Sequence, residues 1–491
     1  MKIKSCFLKP IKLFFDRRSL TIFLWGLFLN TPLFSQLPTA QQVASLMKVG
    51  WNLGNTLEAI CGENAWGNPT TTQKLIDSVK NAGYDAVRLP CAWDCHTTNG
   101  VINTAWIARV KEVVDYCIND SMYVIINIHW DGGWLENNVT TSAQETANAK
   151  QKSYWTQIAN YFKDYDEHLL FASANEPNVE NATQMSILLS YHQTFIDAVR
   201  ATGGNNSSRT LIVQGPSTDI DKTNNLMNTM PIDSIANRLM IEVHYYTPWQ
   251  FCGLTEDASW GKMFYYWGKD YHSTTDVTRN ANWGEESDLD RYLGLMKTKF
   301  VDNGIPVILG EYGAVKRTLT GNSDQELHLA SRLYFYNYFV ESAVNKGIIP
   351  FNWDTGPYGN NTSGIFDRNT GAVVDQGLLD AIMQAAGKGN TTSIIDKTNL
   401  NIPDKAQLEQ NYPNPFNPST TISYTLPKST NVTLKIFDIL GREITTLINN
   451  ERREAGYNEI SFDASNLSGG VYFYKMQANN FMDIKKMMLI K

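Results

Sequence analysis

The 491-residue sequence predicts an α/β fold, a (β/α)8 barrel of the TIM type, followed by a small all-β, Ig-like sandwich. Eight short apolar runs alternate with longer segments of helical period up to Ala386, which is typical of repeated βα units. All thirteen Trp and all seven His residues lie at or before Trp353, although a long stretch of chain follows it. With 43% hydrophobic residues the chain can bury two cores, so we expect two folded units.

Residues 1–35 have the pattern of a secretory signal peptide. Six Lys or Arg residues precede an apolar stretch, Leu20–Leu29, and small or polar residues follow around Ser35. A membrane anchor is the alternative, but the apolar segment ending at Phe34 is shorter than a membrane span requires. We therefore expect cleavage near Ser35, an exported mature protein and no stable membrane span after cleavage.

Segment 37–387 is predicted to form the barrel, because its apolar runs are rich in Val and Ile, as in strands buried on both faces. The eight runs are Val49–Leu53, Ala86–Leu89, Val124–His129, Leu169–Asn175, Thr210–Gln214, Met240–His244, Pro306–Gly310 and Ile348–Trp353. The predicted helices between them include Thr72–Ala82, Ala105–Asn119, Ser287–Asp302 and Asp324–Asn345. An open doubly wound sheet is the alternative, but the turn after the first run lacks the spacing of a Gly-rich phosphate loop.

Residues 388–407 are poor in large apolar side chains and are predicted to be a linker. Residues 408–491 are predicted to be the sandwich, because alternating segments such as Thr420–Leu426, Val432–Phe437 and Val471–Met476 are separated by turns with Pro or Gly. The unit has no Trp or His, which disfavours a carbohydrate-binding module, although its Tyr residues keep that alternative open.

Two glutamates directly follow buried runs, at the strand ends where this fold builds its active site. They are Glu176 and Glu311, in the fourth and seventh βα units. Each alone could be a structural ion-pair partner of Arg88, but two on separate strands favour catalysis, since burying an unpaired charge is costly. Cleavage of a glycosidic bond uses two carboxyl groups, about 5 Å apart in retaining enzymes. We predict that this pair faces across the barrel mouth.

Other polar and aromatic residues at the strand ends are predicted to bind substrate. They are Arg88, His129, Asn175, His244, Tyr246, Trp353, Trp134 and Trp249. Arg88 can hold a carboxylate ionised, which suits a nucleophile better than an acid. A lone histidine is more often a satisfied core residue, and about half of the loop tryptophans are expected to be core as well. The first and fifth runs contribute nothing obviously reactive.

No metal site and no cofactor are predicted. Cys91, Cys95 and His96 lie close in sequence but lack the second pair of ligands that a structural zinc site would have. Five cysteines follow the N-terminal segment, so at least one thiol stays unpaired, and the pairing is open. The net charge of −7 argues against a nucleic-acid partner and is compatible with a neutral substrate.

Seven motifs occur in the order found in glycoside hydrolase family 5, and residues from about 45 to 386 resemble its retaining, cellulase-type barrels. They are Val49–Glu58, Val87–Pro90, Asn127–Asp131, Asn175–Pro177, His244–Tyr246, Gly310–Gly313 and Trp353. The resemblance implies that Glu176 is the general acid/base and Glu311 the nucleophile. It also implies that six of the predicted binding residues, without Trp134 and Trp249, line the subsite at the cleaved bond. Trp130 departs from the pattern, because many relatives have a second histidine there.

The Trp130–Leu135 loop and the first motif resemble the branch that cuts β-1,4-glucans internally. The implied activity is a secreted endo-β-1,4-glucanase, a cellulase, acting on cellulose, mixed-linkage glucan or xyloglucan. A β-mannanase or xylanase with the same two glutamates and a non-catalytic glucan-binding barrel are the alternatives. The sequence leaves the preferred polysaccharide, the pH optimum and the oligomeric state open.

The C-terminal unit resembles the sorting domain of type IX secretion in Bacteroidota. The resemblance rests on Asn411–Pro418, Gly469–Tyr472 and the basic ending Lys485–Lys491. It implies that the secretion machinery is a partner, that the chain passes through the outer membrane, and that this domain is then removed. The expected location is secreted or at the cell surface.

Overall fold

The computed structural model describes residues 37–388, 406–411, 413–453, 456–479 and 481–490. The predicted signal peptide and most of the predicted linker lie outside the described residues. Eight parallel strands close into a barrel in chain order, the last pairing with the first. They are β1 (Gly50–Leu53), β2 (Ala86–Leu89), β3 (Tyr123–Asn127), β4 (Leu169–Ala172), β5 (Leu211–Gln214), β6 (Leu239–Tyr245), β7 (Val307–Tyr312) and β8 (Ile348–Asp354). The predicted barrel is confirmed, and the open sheet is wrong.

Helices cover the outside of the barrel. They are α1 (Ala40–Ala44), α2 (Gln73–Asn81), α3 (Thr104–Asn119), α4 (Gln144–Tyr161), α5 (Ala182–Ala201), α6 (Ile220–Leu226), α7 (Trp249–Cys252), α8 (Glu286–Lys299), α9 (Asn322–Asn345) and α10 (Gln376–Ala385). The side chains of Thr72, Asn103 and Asn181 begin α2, α3 and α5 by accepting a hydrogen bond from a first-turn N–H. None of the described helices is long and apolar enough to cross a membrane.

The interior of the barrel is apolar at one end of the strands and polar at the other. Ile212 and Met240 belong to an apolar cluster near the N-terminal ends, and α1 packs into the same cluster. Two residues further along β5 and β6, the buried side chains are Gln214 and Glu242. Because positions two apart in a strand share a face, the same strands build a core at one end and a polar site at the other.

The C-terminal unit is made of two antiparallel sheets. Its strands are β9 (Gln407–Leu408), β10 (Ser419–Leu426), β11 (Thr430–Phe437), β12 (Glu443–Arg453), β13 (Gly456–Asp463), β14 (Gly470–Ala478) and β15 (Phe481–Leu489). One sheet has the order β9-β10-β13 and the other β12-β11-β14-β15. Alternate residues of both sheets, such as Ile422 and Leu434, form a separate apolar core. The predicted all-β unit is confirmed.

Candidate active site

Glu311 lies in a β-bulge at the C-terminal end of β7. The register of β7 against β6 shifts by one residue just before Glu311, which leaves Gly310 as the extra residue. The bulge turns Glu311 into the barrel mouth, while the next residue, Tyr312, stacks on a phenylalanine of α9. A side chain at Gly310 would place its Cβ 2.0 Å from Oε1 of Glu242, so only glycine fits here.

Two hydrogen bonds fix the carboxylate of Glu311, one on each oxygen. Nη1 of Arg88 donates to Oε1 at 2.9 Å, and the hydroxyl of Tyr246 donates to Oε2 at 3.0 Å. Only 8% of the Glu311 side chain is exposed. This carboxylate is therefore held in one orientation, as a group that must attack along a fixed line requires.

Glu176 lies in the loop after β4 and is held more loosely. Nδ1 of His244 lies 2.7 Å from Oε1, and the hydroxyl of Thr218 donates to the same oxygen at 3.4 Å. The side chain is 43% exposed, against 8% for Glu311. The two carboxylates thus differ in their access to solvent.

The two glutamates face each other across the mouth. One carboxylate oxygen of Glu176, one of Glu311 and a ring nitrogen of His244 lie within 4.8 Å of one another. Retaining glycosidases place their carboxyl groups about 5–5.5 Å apart. A cation site would need a lone pair on His244, but Nδ1 faces Glu176 and Nε2 lies 3.2 Å from Oε1 of Glu242. With both ring nitrogens directed at carboxylates, His244 is suited to proton transfer rather than to binding a metal.

Arg88 is fully buried behind Glu311 and joins several strands. Nη2 donates to Oδ1 of Asn175 at 2.8 Å, and Nη1 also donates to Oδ1 of Asn52 at 3.1 Å. Nε lies 2.9 Å from Oε1 of Glu242, as an ion pair that lacks hydrogen-bond geometry. The burial places Arg88 behind Glu311, where it orients Glu311 and Asn175.

Charge balance in the network holds a proton on His244. Burial lowers the pKa of His244, but three neighbouring carboxylates, Glu311 first, outweigh it and raise this pKa to about 10. Burial raises the pKa of Glu176, but the hydrogen bond and charge of His244 outweigh it, so the pKa lies below its ordinary value. The proton therefore sits in the short hydrogen bond between His244 and Glu176.

Glu311 does not have the low pKa that its ion pair with Arg88 led us to expect. Burial raises the pKa of Glu311, and the charges of His244 and Arg88 oppose this only in part. The negative charge of Glu176 adds to the increase. Arg88 also pairs with Glu242, a fully buried carboxylate whose pKa burial raises but Arg88 and His244 lower below its ordinary value. The predicted contact is present, but burial decides the direction of the shift.

The predicted aromatic residues lie at the end of β8 and in the segments that follow β3 and β6. His129 stacks on Trp353 with ring centroids 5.8 Å apart, and burial lowers the pKa of His129, so its ring is neutral. Trp249 is 47% exposed and lies edge-on to Tyr246, next to Glu311. Trp134 lies in the loop after β3, as His129 does, and is half-buried with a lysine ammonium 4.7 Å from its ring.

Three residues that hold the site were missed in the sequence. Glu242 contacts Arg88 and His244, Gln214 donates to Glu242 at 2.6 Å, and Asn52 donates to the carbonyl of Gly310 at 2.8 Å. The first and fifth runs were expected to contribute nothing obviously reactive, and they contribute Asn52 and Gln214, which support the site through hydrogen bonds. A polar residue inside a buried apolar run was the available signal, because it needs a polar partner.

Comparison with known proteins gives two family matches. Residues 47–359 match the model of the cellulases, glycosyl hydrolase family 5, and residues 410–491 match a secretion system C-terminal sorting domain. A xyloglucan-specific endo-β-1,4-glucanase of Bacteroides ovatus is 36% identical over 70% of this chain and 70% of its own. Endoglucanase A of Paenibacillus barcinonensis is 35% identical over 70% of this chain and 90% of its own.

A solved structure shows the same fold. It is a xyloglucan-specific β-1,4-glucanase from a ruminal metagenomic library, in complex with the oligosaccharide XXLG. Its sequence is 45% identical, the TM-score is 0.67, and the match covers 72% of this chain and 97% of that one.

Proposed function

The chain belongs to glycosyl hydrolase family 5, as its motifs predicted, and we propose that it is a secreted, retaining endo-β-1,4-glucanase acting by double displacement. The observation that carries this proposal is a pair of glutamates with oxygens within 4.8 Å at the barrel mouth, one fixed and one partly exposed. The C-terminal sorting domain is also confirmed, and we propose that the type IX secretion machinery recognises it for export.

Glu311 is the nucleophile of this proposal. Its two oxygens are oriented by Arg88 and Tyr246, so it can attack the anomeric carbon without first losing side-chain freedom. The buried cationic network behind it stabilises its charge in the free enzyme. Attack forms a covalent glycosyl ester and removes that negative charge.

Glu176 is the acid/base residue. Its exposed side chain can reach the leaving oxygen, and the proton that it shares with His244 is available for donation. Once Glu311 is esterified, its charge no longer raises the pKa of Glu176. Glu176 then acts as a base toward the water that hydrolyses the ester.

The remaining predicted residues bind the glucan chain. Asn175, held by Arg88, can bind a sugar hydroxyl next to the acid/base residue. Trp353 offers an aromatic face for a pyranose ring, with His129 stacked against it. The exposed Trp249 after β6, and Trp134 in the loop after β3, extend the aromatic surface away from the cleaved bond. The proposed substrate class is inferred from the relatives, whose names are endoglucanase and xyloglucan-specific endo-β-1,4-glucanase.

Product analysis tests the function. The purified chain is incubated with carboxymethylcellulose, mixed-linkage glucan, xyloglucan, glucomannan and xylan, and the Glu311→Gln variant, purified in parallel, controls for contaminating activity. We expect a rapid fall in viscosity with short β-glucan oligomers, and proton NMR of early products should show the β-anomer first. Cleavage confined to mannan or xylan would favour the alternative specificities. Binding without any product would favour the non-catalytic barrel.

A further inference from the structure

A third carboxylate, Glu136, lies beside the acid/base residue in the short turn Glu136–Asn138 that follows β3. It is buried, with 5% of its surface exposed. Its Oε1 accepts the backbone N–H of Glu176 at 2.7 Å, and its carbonyl accepts the N–H of Asn178 at 3.0 Å. These two bonds fix the backbone on both sides of Pro177. The catalytic pair and its Arg88 network do not account for this residue.

The groups that face Glu136 come from several elements. Glu176 and Glu311 lie close enough to repel it, and the amide side chain of Asn175 near it lowers its pKa. The same amide accepts a hydrogen bond from Arg88 at 2.8 Å. On the same loop as Glu136, the carboxylate of Asp131 accepts hydrogen bonds from the backbone N–H of Asp94 and the indole N–H of Trp134. The structure records no ion pair to Glu136 among residues 37–388.

Burial raises the pKa of Glu136 to about 7, and the repulsion from Glu176 and Glu311 adds to this increase, although the backbone N–H of Glu176 opposes it. Glu136 is therefore neutral in acid solution and becomes charged near neutrality. The charge then appears within one hydrogen bond of the Glu176 backbone. A like charge at this distance disfavours the ionised form of Glu176.

We propose that Glu136 is a positioning residue for the reaction, and this rests on the proposed role of Glu176 as acid/base. Its carboxylate holds the backbone of Glu176 in place. Its charge, which develops as pH rises, delays the loss of the proton that Glu176 and His244 share. The enzyme thereby keeps its general acid to higher pH than the Glu176–His244 pair alone would allow.

The Glu136→Gln variant separates the charge from the hydrogen bond, because Gln keeps an acceptor oxygen for the N–H of Glu176. Glu145→Gln is the matched control, since Glu145 is an exposed carboxylate at the start of the following helix, α4. The measurement is kcat/KM from pH 5 to 10 on an aryl β-cellobioside with a poor leaving group. Below pH 6, kcat/KM of Glu136→Gln should nearly equal that of wild type. The pKa that describes the alkaline fall of kcat/KM should be about one unit lower in the variant. Glu145→Gln should follow the wild-type profile throughout.

A second substrate distinguishes this role from a purely structural one. A dinitrophenyl cellobioside releases dinitrophenolate, which leaves without protonation. Loss of the general acid therefore hardly affects the rate at which this substrate is cleaved. At pH 9 we expect kcat/KM of Glu136→Gln to be about tenfold below wild type on the substrate with the poor leaving group, and little changed on the activated substrate. This ratio is taken within one sample, so partial unfolding cancels. An unchanged alkaline limb, or equal loss on both substrates, overturns the proposal.

The proposed function is checked separately with Glu176→Gln on the same two substrates. This variant should lose nearly all activity on the poor leaving group and retain glycosylation with the activated one. Full activity of Glu176→Gln on the poor leaving group would remove the acid/base assignment itself. If Glu176→Gln loses activity as expected but the alkaline limb of Glu136→Gln is not shifted, only the proposed role of Glu136 is overturned.

Discussion

The mouth of the barrel and the interior of the C-terminal unit bury opposite kinds of side chain. Arg88, Glu242 and His244 are buried in the barrel mouth, linked by charge and by hydrogen bonds. The C-terminal unit packs Ile, Leu, Val, Met and aromatic residues between two sheets. Burying ions costs stability, and an apolar core of similar volume is often as stable or more so. The barrel mouth is therefore organised for reactivity, and the C-terminal unit shows what this chain builds where no chemistry is required.

The largest effect expected from this comparison follows removal of either glutamate. Glu311→Ala should reduce kcat on the order of 10⁴-fold, because the glycosyl ester can no longer form. For Glu176→Ala, kcat should fall by a similar factor on polysaccharide and by much less on an activated aryl glycoside. Both variants should remain folded by circular dichroism, because each change is confined to the barrel mouth and leaves the apolar core of the barrel intact.

Azide and a surface variant complete this test. Azide should restore turnover of Glu311→Ala with inverted anomeric product, since it attacks from the vacated side. Glu180→Ala is the matched control, because Glu180 lies four residues after Glu176 and is 69% exposed. It should retain wild-type activity. Near-normal turnover in either catalytic variant would discard the role given to that residue.

An intermediate effect is expected when the network behind the catalytic pair is altered. Glu242→Gln leaves Arg88 and His244 with one anion fewer, and disrupting a buried charge network costs about 3 kcal/mol. The melting temperature should fall, and kcat should fall less than in Glu311→Ala, because Glu242 does not touch the substrate. A surface control, Glu180→Gln, should leave the melting temperature unchanged.

The same variant has a defined pH dependence. The pKa of His244 is raised from 6.5 to about 10, so its ion pairs contribute stability that is complete below about pH 6.5. That contribution is lost as the pH rises through 10. Glu242→Gln lowers the pKa of His244, so the alkaline loss of stability should begin at lower pH than in wild type. Identical alkaline unfolding curves would show that Glu242 does not support the charge of His244.

The sequence predicted the strands of the barrel and both carboxylates because these rest on local patterns. Each apolar run coincides with a strand to within a few residues, and the four predicted helices are present. Glu176 and Glu311 were identifiable because a charge directly after a buried strand is unusual. The strand Leu169–Asn175 ends earlier than predicted, at Ala172, because the amide of Ala174 bonds to the side chain of Gln214 instead of a neighbouring strand.

What the sequence did not predict depends on distances between strands. Glu242 was read as part of an apolar run, and only its neighbours Arg88 and His244 show why a charge is tolerated there. The direction of the pKa shift of Glu311 was missed for the same reason. It depends on how deeply Glu311 is buried and on the charges that other strands place next to it, which no local pattern contains.

The smallest effect should come from removing the C-terminal unit. Its core shares no residue with the two apolar clusters of the barrel. The cut belongs after Lys388, because its ammonium pairs with Asp85 and donates to the carbonyl of Gly83 at 2.6 Å, which joins the end of the barrel to its second βα unit. Residues 37–388 should keep kcat/KM within about twofold of the longer chain, since separate cores fold as separate units. A tenfold loss would show that the sandwich takes part in the site, and would end the contrast between the two units.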